Sequence, residues 1–95
     1  MKRTKIVCTI GPACEKETTL KAMMRAGMDA ARLNFSHGTH AGHKRNLSNV
    51  RRASDSARKF VTVIGDLQGP KIRVGELPSD GIVLKNNVEY IFSTG

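Results

Sequence analysis

The chain has 95 residues, 39% hydrophobic, 25% charged and 4% aromatic, with a formal net charge of +8. This composition excludes a disordered chain and gives one small domain or part of a larger one. No apolar run approaches the ~18 residues of a membrane span, and no apolar stretch follows the charged start Met1-Lys2-Arg3-Thr4 to make a secretory signal. The two cysteines, Cys8 and Cys14, lack the second pair of a zinc site, so a cytoplasmic protein with reduced thiols is expected.

Residues 5–10 are apolar and β-branched and stop at Gly11-Pro12, which predicts a buried strand ending in a turn. Thr9 falls near the strand's C-terminal end, as a ligand position or as a plain strand former. Residues 15–26 predict a helix. Glu15 and Glu17 suit the dipole at its start, Leu20, Met23 and Met24 form its apolar stripe, and Gly27 stands where a left-handed cap belongs.

Residues 28–35 predict a second strand. Leu33 and Phe35 alternate with Arg32, Asn34 and Ser36, so one face carries a guanidinium, an amide and a hydroxyl. Such a face either meets solvent at an edge or offers a fork for phosphate and two oxygens for a hard cation. Thr39 is the expected N-cap of a helix over residues 40–59, with a thin apolar stripe of Leu47, Val50, Ala53 and Ala57. Its many basic residues read as a solvated face. His40 and His43, three apart, read as exposed histidines rather than metal ligands.

Residues 60–67 are nearly all apolar and predict a strand buried on both faces, with Asp66 at its C-terminal end. The order β-α-β-α-β implies a parallel sheet with right-handed crossovers. Thr9, Arg32, Asn34, Ser36 and Asp66 then share one rim. After Pro70 the texture changes. Residues 71–75, 82–84 and 88–92 read as short strands separated by turns, the opening of an antiparallel β unit. Neither half looks complete, so the chain is expected to be the N-terminal piece of a larger architecture.

Four stretches carry a family resemblance. They are Thr4-Lys5-Ile6-Val7-Cys8-Thr9-Ile10-Gly11-Pro12, Ala26-Gly27-Met28, Ala31-Arg32-Leu33-Asn34-Phe35-Ser36-His37-Gly38 and Gly65-Asp66-Leu67-Gln68-Gly69-Pro70-Lys71-Ile72-Arg73. In this order and spacing they resemble the N-terminal portion of pyruvate kinase, over the whole chain. The resemblance implies an α/β fold. Residues 1–70 would supply the first three strands of a (β/α)8 TIM barrel, and residues 71–95 would begin an inserted antiparallel β domain.

The activity implied is phosphoryl transfer from phosphoenolpyruvate to ADP, giving pyruvate and ATP, by a cytoplasmic glycolytic enzyme that is a homotetramer at full length. Arg32 resembles the family's phosphate-binding arginine. Asn34, Ser36, Asp66 and Leu67 match its potassium ligands, the last through a carbonyl oxygen. Asn34, Phe35, Ser36 and His37 border the nucleotide phosphates, and Arg73 matches an arginine that reaches ATP. The family's catalytic lysine, its Glu and Asp ligands for Mg2+ and its threonine near the proton donor fall beyond residue 95. No catalytic residue is therefore assigned within the chain, which is expected to be inactive alone.

Many family members read Asp-Thr-Lys-Gly-Pro-Glu where this chain has Asp66-Leu67-Gln68-Gly69-Pro70-Lys71. The Lys71 ammonium is expected to replace K+ in part, since a fixed positive charge can fill the same electrostatic role. Two other classes remain open. One is a basic binding module, favoured by the charge and opposed by the few aromatics and the absence of a nucleic-acid motif. The other is a structural remnant that pairs with a partner chain through exposed sheet edges.

Overall fold

Three short strands lie side by side in chain order: β1 (Val7–Thr9), β2 (Ala30–Asn34) and β3 (Thr62–Asp66). Both pairings are parallel, with Thr9 opposite Arg32 and Asn34 opposite Asp66. The computed structural model describes residues 2–94. Helices α1 (Glu17–Ala26) and α2 (His40–Ala57) make the crossovers and pack against each other. Crossovers of one hand in a monotonic strand order leave both helices on the same face of the sheet.

The core lies between that face and the helices. Leu20 and Met24 from α1 and Val50 and Ala53 from α2 meet Ala31 and Leu33 of β2, together with Ile10, Met28 and Val61. Met24 and Met28 are thus core filler, each worth ~1.5–3 kcal/mol when fully buried. Because side chains alternate along a strand, Arg32 and Asn34 point to the opposite face. Register puts Val7, Thr9, Thr62, Ile64 and Asp66 there as well. Among the described residues no helix covers this face, and Val7 is 52% exposed.

The helix ends follow local chemistry. Thr39 Oγ1 accepts from the Gly42 N–H at 3.1 Å and starts α2. Gly27 closes α1 at φ 122°, donating its N–H to the Met23 and Met24 carbonyls at 3.1 Å. The α2 helix stops at Ala57, two residues short of the expected end. Arg58 turns left-handed at φ 50°, and the Lys59 N–H returns to the Ser54 carbonyl at 3.1 Å. The turn frees Lys59 to reach across, its Nζ donating to the Met24 carbonyl at 2.7 Å as a second donor beside the Gly27 N–H at the end of α1.

Three expectations are corrected. The strands are shorter than read, because flanking backbone finds other partners: the Ile6 N–H donates to Asp29 Oδ2 at 2.8 Å rather than extending β1. The third strand is not buried on both faces. It is an edge strand, with Ile64 38% exposed on the open side. The runs at 71–75, 82–84 and 88–92 form no strand among the described residues, where the segment shows turns at 79–80 and 86–87. A strand pattern becomes a ladder only when a neighbour takes its backbone hydrogen bonds, and here Ile72, Ile91 and Phe92 stand exposed with none.

Candidate phosphate and cation site

The three strand ends bring Arg32 between two oxygen-bearing neighbours. Thr9 sits directly across on β1, and Asp66 lies on β3 two positions beyond Ile64, the residue opposite Arg32. Arg32 Nη1 donates to Thr9 Oγ1 at 3.0 Å and Nε donates to Asp66 Oδ2 at 2.8 Å; Nη2 reaches the same carboxylate oxygen. A guanidinium has five N–H donors, so two stay free for an anion on the open face. The Arg32 and Asp66 side chains are 32% and 46% exposed, so the pair adds ~1 kcal/mol of stability at most. Its larger effect is to hold the planar fork in one orientation. Among the described contacts Asp66 Oδ1 has none, and it is available to a cation.

Beyond Asn34 the chain folds into a tight turn. Asn34 Oδ1 accepts from the Ser36 N–H at 3.1 Å, and the Asn34 carbonyl accepts from the His37 N–H at 3.3 Å. A short amide side chain that closes on the backbone two residues on ends a strand in this way. The Phe35 N–H donates to the Asp66 carbonyl at 3.0 Å, which ties the turn to β3. Lys71 Nζ then donates to Ser36 Oγ at 3.0 Å. Next to it lies a cleft of about 360 Å3 lined by Ser36, His37, Gln68, Gly69, Lys71 and Arg73. It has two cations and no carboxylate in its wall, so it suits an anionic ligand.

The predicted residues therefore fall into two neighbouring groups. Thr9, Arg32 and Asp66 are linked by hydrogen bonds; Ser36, His37 and Arg73 line the cleft, with Lys71 beside them. Leu67 is 75% exposed and outside the cleft wall. The Phe35 ring turns inward, against the core, so its part in the rim is its backbone. A larger hollow of about 900 Å3, walled mainly by apolar side chains of the segment after residue 71, touches none of the strand-end residues.

The reading of His43 as an exposed histidine is corrected: it is half-buried and stacks on Phe35 with ring centroids 4.4 Å apart. Its place could have been read from the sequence. The ring belongs to the first turns of a helix starting at Thr39, and helical side chains lean back toward the N-terminus, here toward the Phe35–Gly38 turn. His40 is exposed as expected. Among the described residues no three His, Cys, Asp or Glu side chains gather to hold a metal, and no helix is long and apolar enough to cross a membrane.

The sequence profile of the family described as "Pyruvate kinase, barrel domain" matches residues 1–95. Proteins named pyruvate kinase match as well. The one from Staphylococcus haemolyticus is 45% identical over 93 residues, covering 98% of this chain and 16% of the relative. That from Mycobacterium tuberculosis strain H37Rv is 51% identical over 78 residues, 82% of this chain and 16% of the relative. The one from Clostridium perfringens is 41% identical over 95 residues, 100% of this chain and 20% of the relative. The chain thus spans a fifth or less of the length of these relatives.

Proposed function

The chain belongs to the pyruvate kinase family, and from that premise we propose that it forms the phosphoryl-binding face of an enzyme that transfers a phosphoryl group from phosphoenolpyruvate to ADP, giving pyruvate and ATP. The observation that carries the reading is Arg32, held between Thr9 and Asp66 at the C-terminal ends of parallel strands with two N–H donors free. Phosphoryl transfer spreads negative charge over three oxygens, and a pre-oriented guanidinium aimed at them stabilises that charge. The cleft beside Ser36 and His37, with Lys71 and Arg73 in its wall, takes the nucleotide phosphates on this reading.

The oxygens of Asn34, Ser36, Asp66 and Leu67 have the chemistry of a monovalent cation site. A bound K+ there adds a positive charge near the transferring group. In this chain an ammonium already rests on one of those oxygens, since Lys71 donates to Ser36. We assign Lys71 part of the cation's role. The family's Mg2+ site draws no ligand from these residues, so the 95 residues alone are expected to show no turnover. We read the three strands as the opening of a (β/α)8 barrel, because their polar rim lies at the C-terminal ends, where barrel enzymes hold substrate. The change of texture after Pro70 fits the start of the inserted β domain.

The test is a chimera in which these 95 residues replace the matching segment of the Clostridium perfringens relative. Turnover of phosphoenolpyruvate and ADP by the chimera, and none by the 95-residue chain, supports the reading. A folded chimera without turnover contradicts it.

A further inference from the structure

The Phe35–Gly38 turn carries the hydroxyl and backbone that border the cleft, yet its own hydrogen bonds are few. One ring supports it from below. His43 Nε2 lies 2.7 Å from the His37 carbonyl oxygen, and the same ring stacks on Phe35 at 4.4 Å with 29° between the planes. A carbonyl can only accept, so Nε2 carries a hydrogen, and in the neutral ring Nδ1 is then the bare nitrogen. That Nδ1 is buried and has no hydrogen-bond partner among the described residues. A buried nitrogen left unpaired is unfavourable, and it persists where the other contacts of the ring outweigh it.

Gly38 completes the arrangement. Its φ of 76° lies in the left-handed region, and a Cβ built there would stand 3.4 Å from His43 Cε1 and Nε2. That distance is ordinary contact, so the glycine's contribution is the left-handed backbone that brings the turn over the ring. Ser36, between the stacked Phe35 and the clamped His37, is therefore held from both sides.

Resting on the reading of the cleft as a nucleotide-phosphate site, we propose that His43 is a positioning residue for the substrate turn: its Nε2–H clamps the His37 carbonyl while its face seats Phe35, which fixes Ser36 and His37 for a nucleoside diphosphate. The ring touches no ligand itself. It acts through two neighbours, and the geometry requires a donor at Nε2 and a flat ring face.

The experiment uses the 95-residue chain labelled with 15N, with ADP as the probe. The ring spectrum of the unliganded chain is expected to show His43 protonated at Nε2 and bare at Nδ1. A ring protonated at Nδ1 and bare at Nε2 overturns the proposal. Replacing the ring by His43→Leu is expected to weaken ADP binding about tenfold, the size of one lost hydrogen bond with its desolvated partner. His43→Gln, which can still donate to the His37 carbonyl, recovers a large part of that loss at an equal melting temperature. Equal ADP affinity in His43→Leu and the unaltered chain, or equal losses in Leu and Gln, contradicts the clamp. If the unaltered chain fails to bind ADP, the reading of the cleft fails, and the clamp is then decided by the ring tautomer and by exchange of the His37 amide. Faster exchange in His43→Leu than in His43→Gln supports it, and equal exchange overturns it.

Discussion

Asp66 stands directly opposite Asn34 in the sheet, yet its carboxylate turns diagonally to Arg32, whose Nε donates to Oδ2 at 2.8 Å. One carboxylate oxygen thus orients the arginine while the other has no hydrogen-bond partner among the described residues. Stability and chemistry separate at this pair. Asp66→Asn is expected to cost ~0.5–1 kcal/mol of stability, because the pair is half exposed. In the chimera the same change should lower kcat/KM about 100-fold through misplacement of the guanidinium. Thermal melting and steady-state kinetics on one preparation check the split; a large loss of stability with little loss of turnover goes against it.

Lys71 on Ser36 predicts a weak need for potassium. Exchanging K+ for a large organic cation in the chimera should change turnover by less than about threefold, since the fixed ammonium supplies the charge. Lys71→Glu should make turnover depend strongly on K+. A chimera that already requires K+ with Lys71 in place shows that the ammonium does not substitute.

The N-terminal segment is pinned at Asp29. The Lys2 ammonium, 2.7 Å from Oδ2, and the Ile6 N–H, at 2.8 Å, hold its carboxyl below the ordinary aspartate value of 3.8. A carboxyl depressed in the folded state stabilises the fold above its unfolded value, and that contribution is lost as pH falls through the folded value. Asp29→Asn should therefore melt below the unaltered chain at pH 7, with the gap narrowing as pH drops under 3.8. A gap that is constant from pH 7 to pH 2 shows that Asp29 acts through shape rather than charge.

Leu20 is fully buried between α1, α2 and the sheet. Leu20→Ala should destabilise the chain by ~2–5 kcal/mol, the transfer term plus the cavity. Denaturant unfolding measures it, and a loss under ~1 kcal/mol would mean that this core is not close-packed.

Much of this was legible because burial writes a period into sequence. The alternation through Arg32, Leu33, Asn34 and Phe35 announced a two-faced strand, and the Leu20–Met24 stripe announced the helix that covers it. Thr39 and Gly27 marked their helix ends by hydrogen-bond capacity and by backbone freedom. What failed depended on neighbours that a local pattern does not contain. The run ending at Asp66 is apolar enough for a central strand, but the strand order places it at an edge. The alternation after Pro70 needs partner strands to become a ladder. Arg58 ends α2 although it is neither Gly nor Asn, since the turn lets Lys59 cap the neighbouring helix. The spacing of His40 and His43 reads as two exposed histidines, whereas the helix start at Thr39 already leans the His43 ring back onto Phe35 and the turn.

Arg32 is proposed as the phosphate fork of a phosphoryl-transfer site. The most direct measurement is kcat/KM for phosphoenolpyruvate in the chimera with Arg32→Gln, which keeps an amide donor and removes the charge. A fall of about 1,000-fold or more with melting unchanged is the predicted result, the scale of losing one pre-oriented donor to developing charge. A variant within about threefold of the parent would mean that Arg32 serves Asp66 and Thr9 as a structural tie, and that the phosphate is held elsewhere.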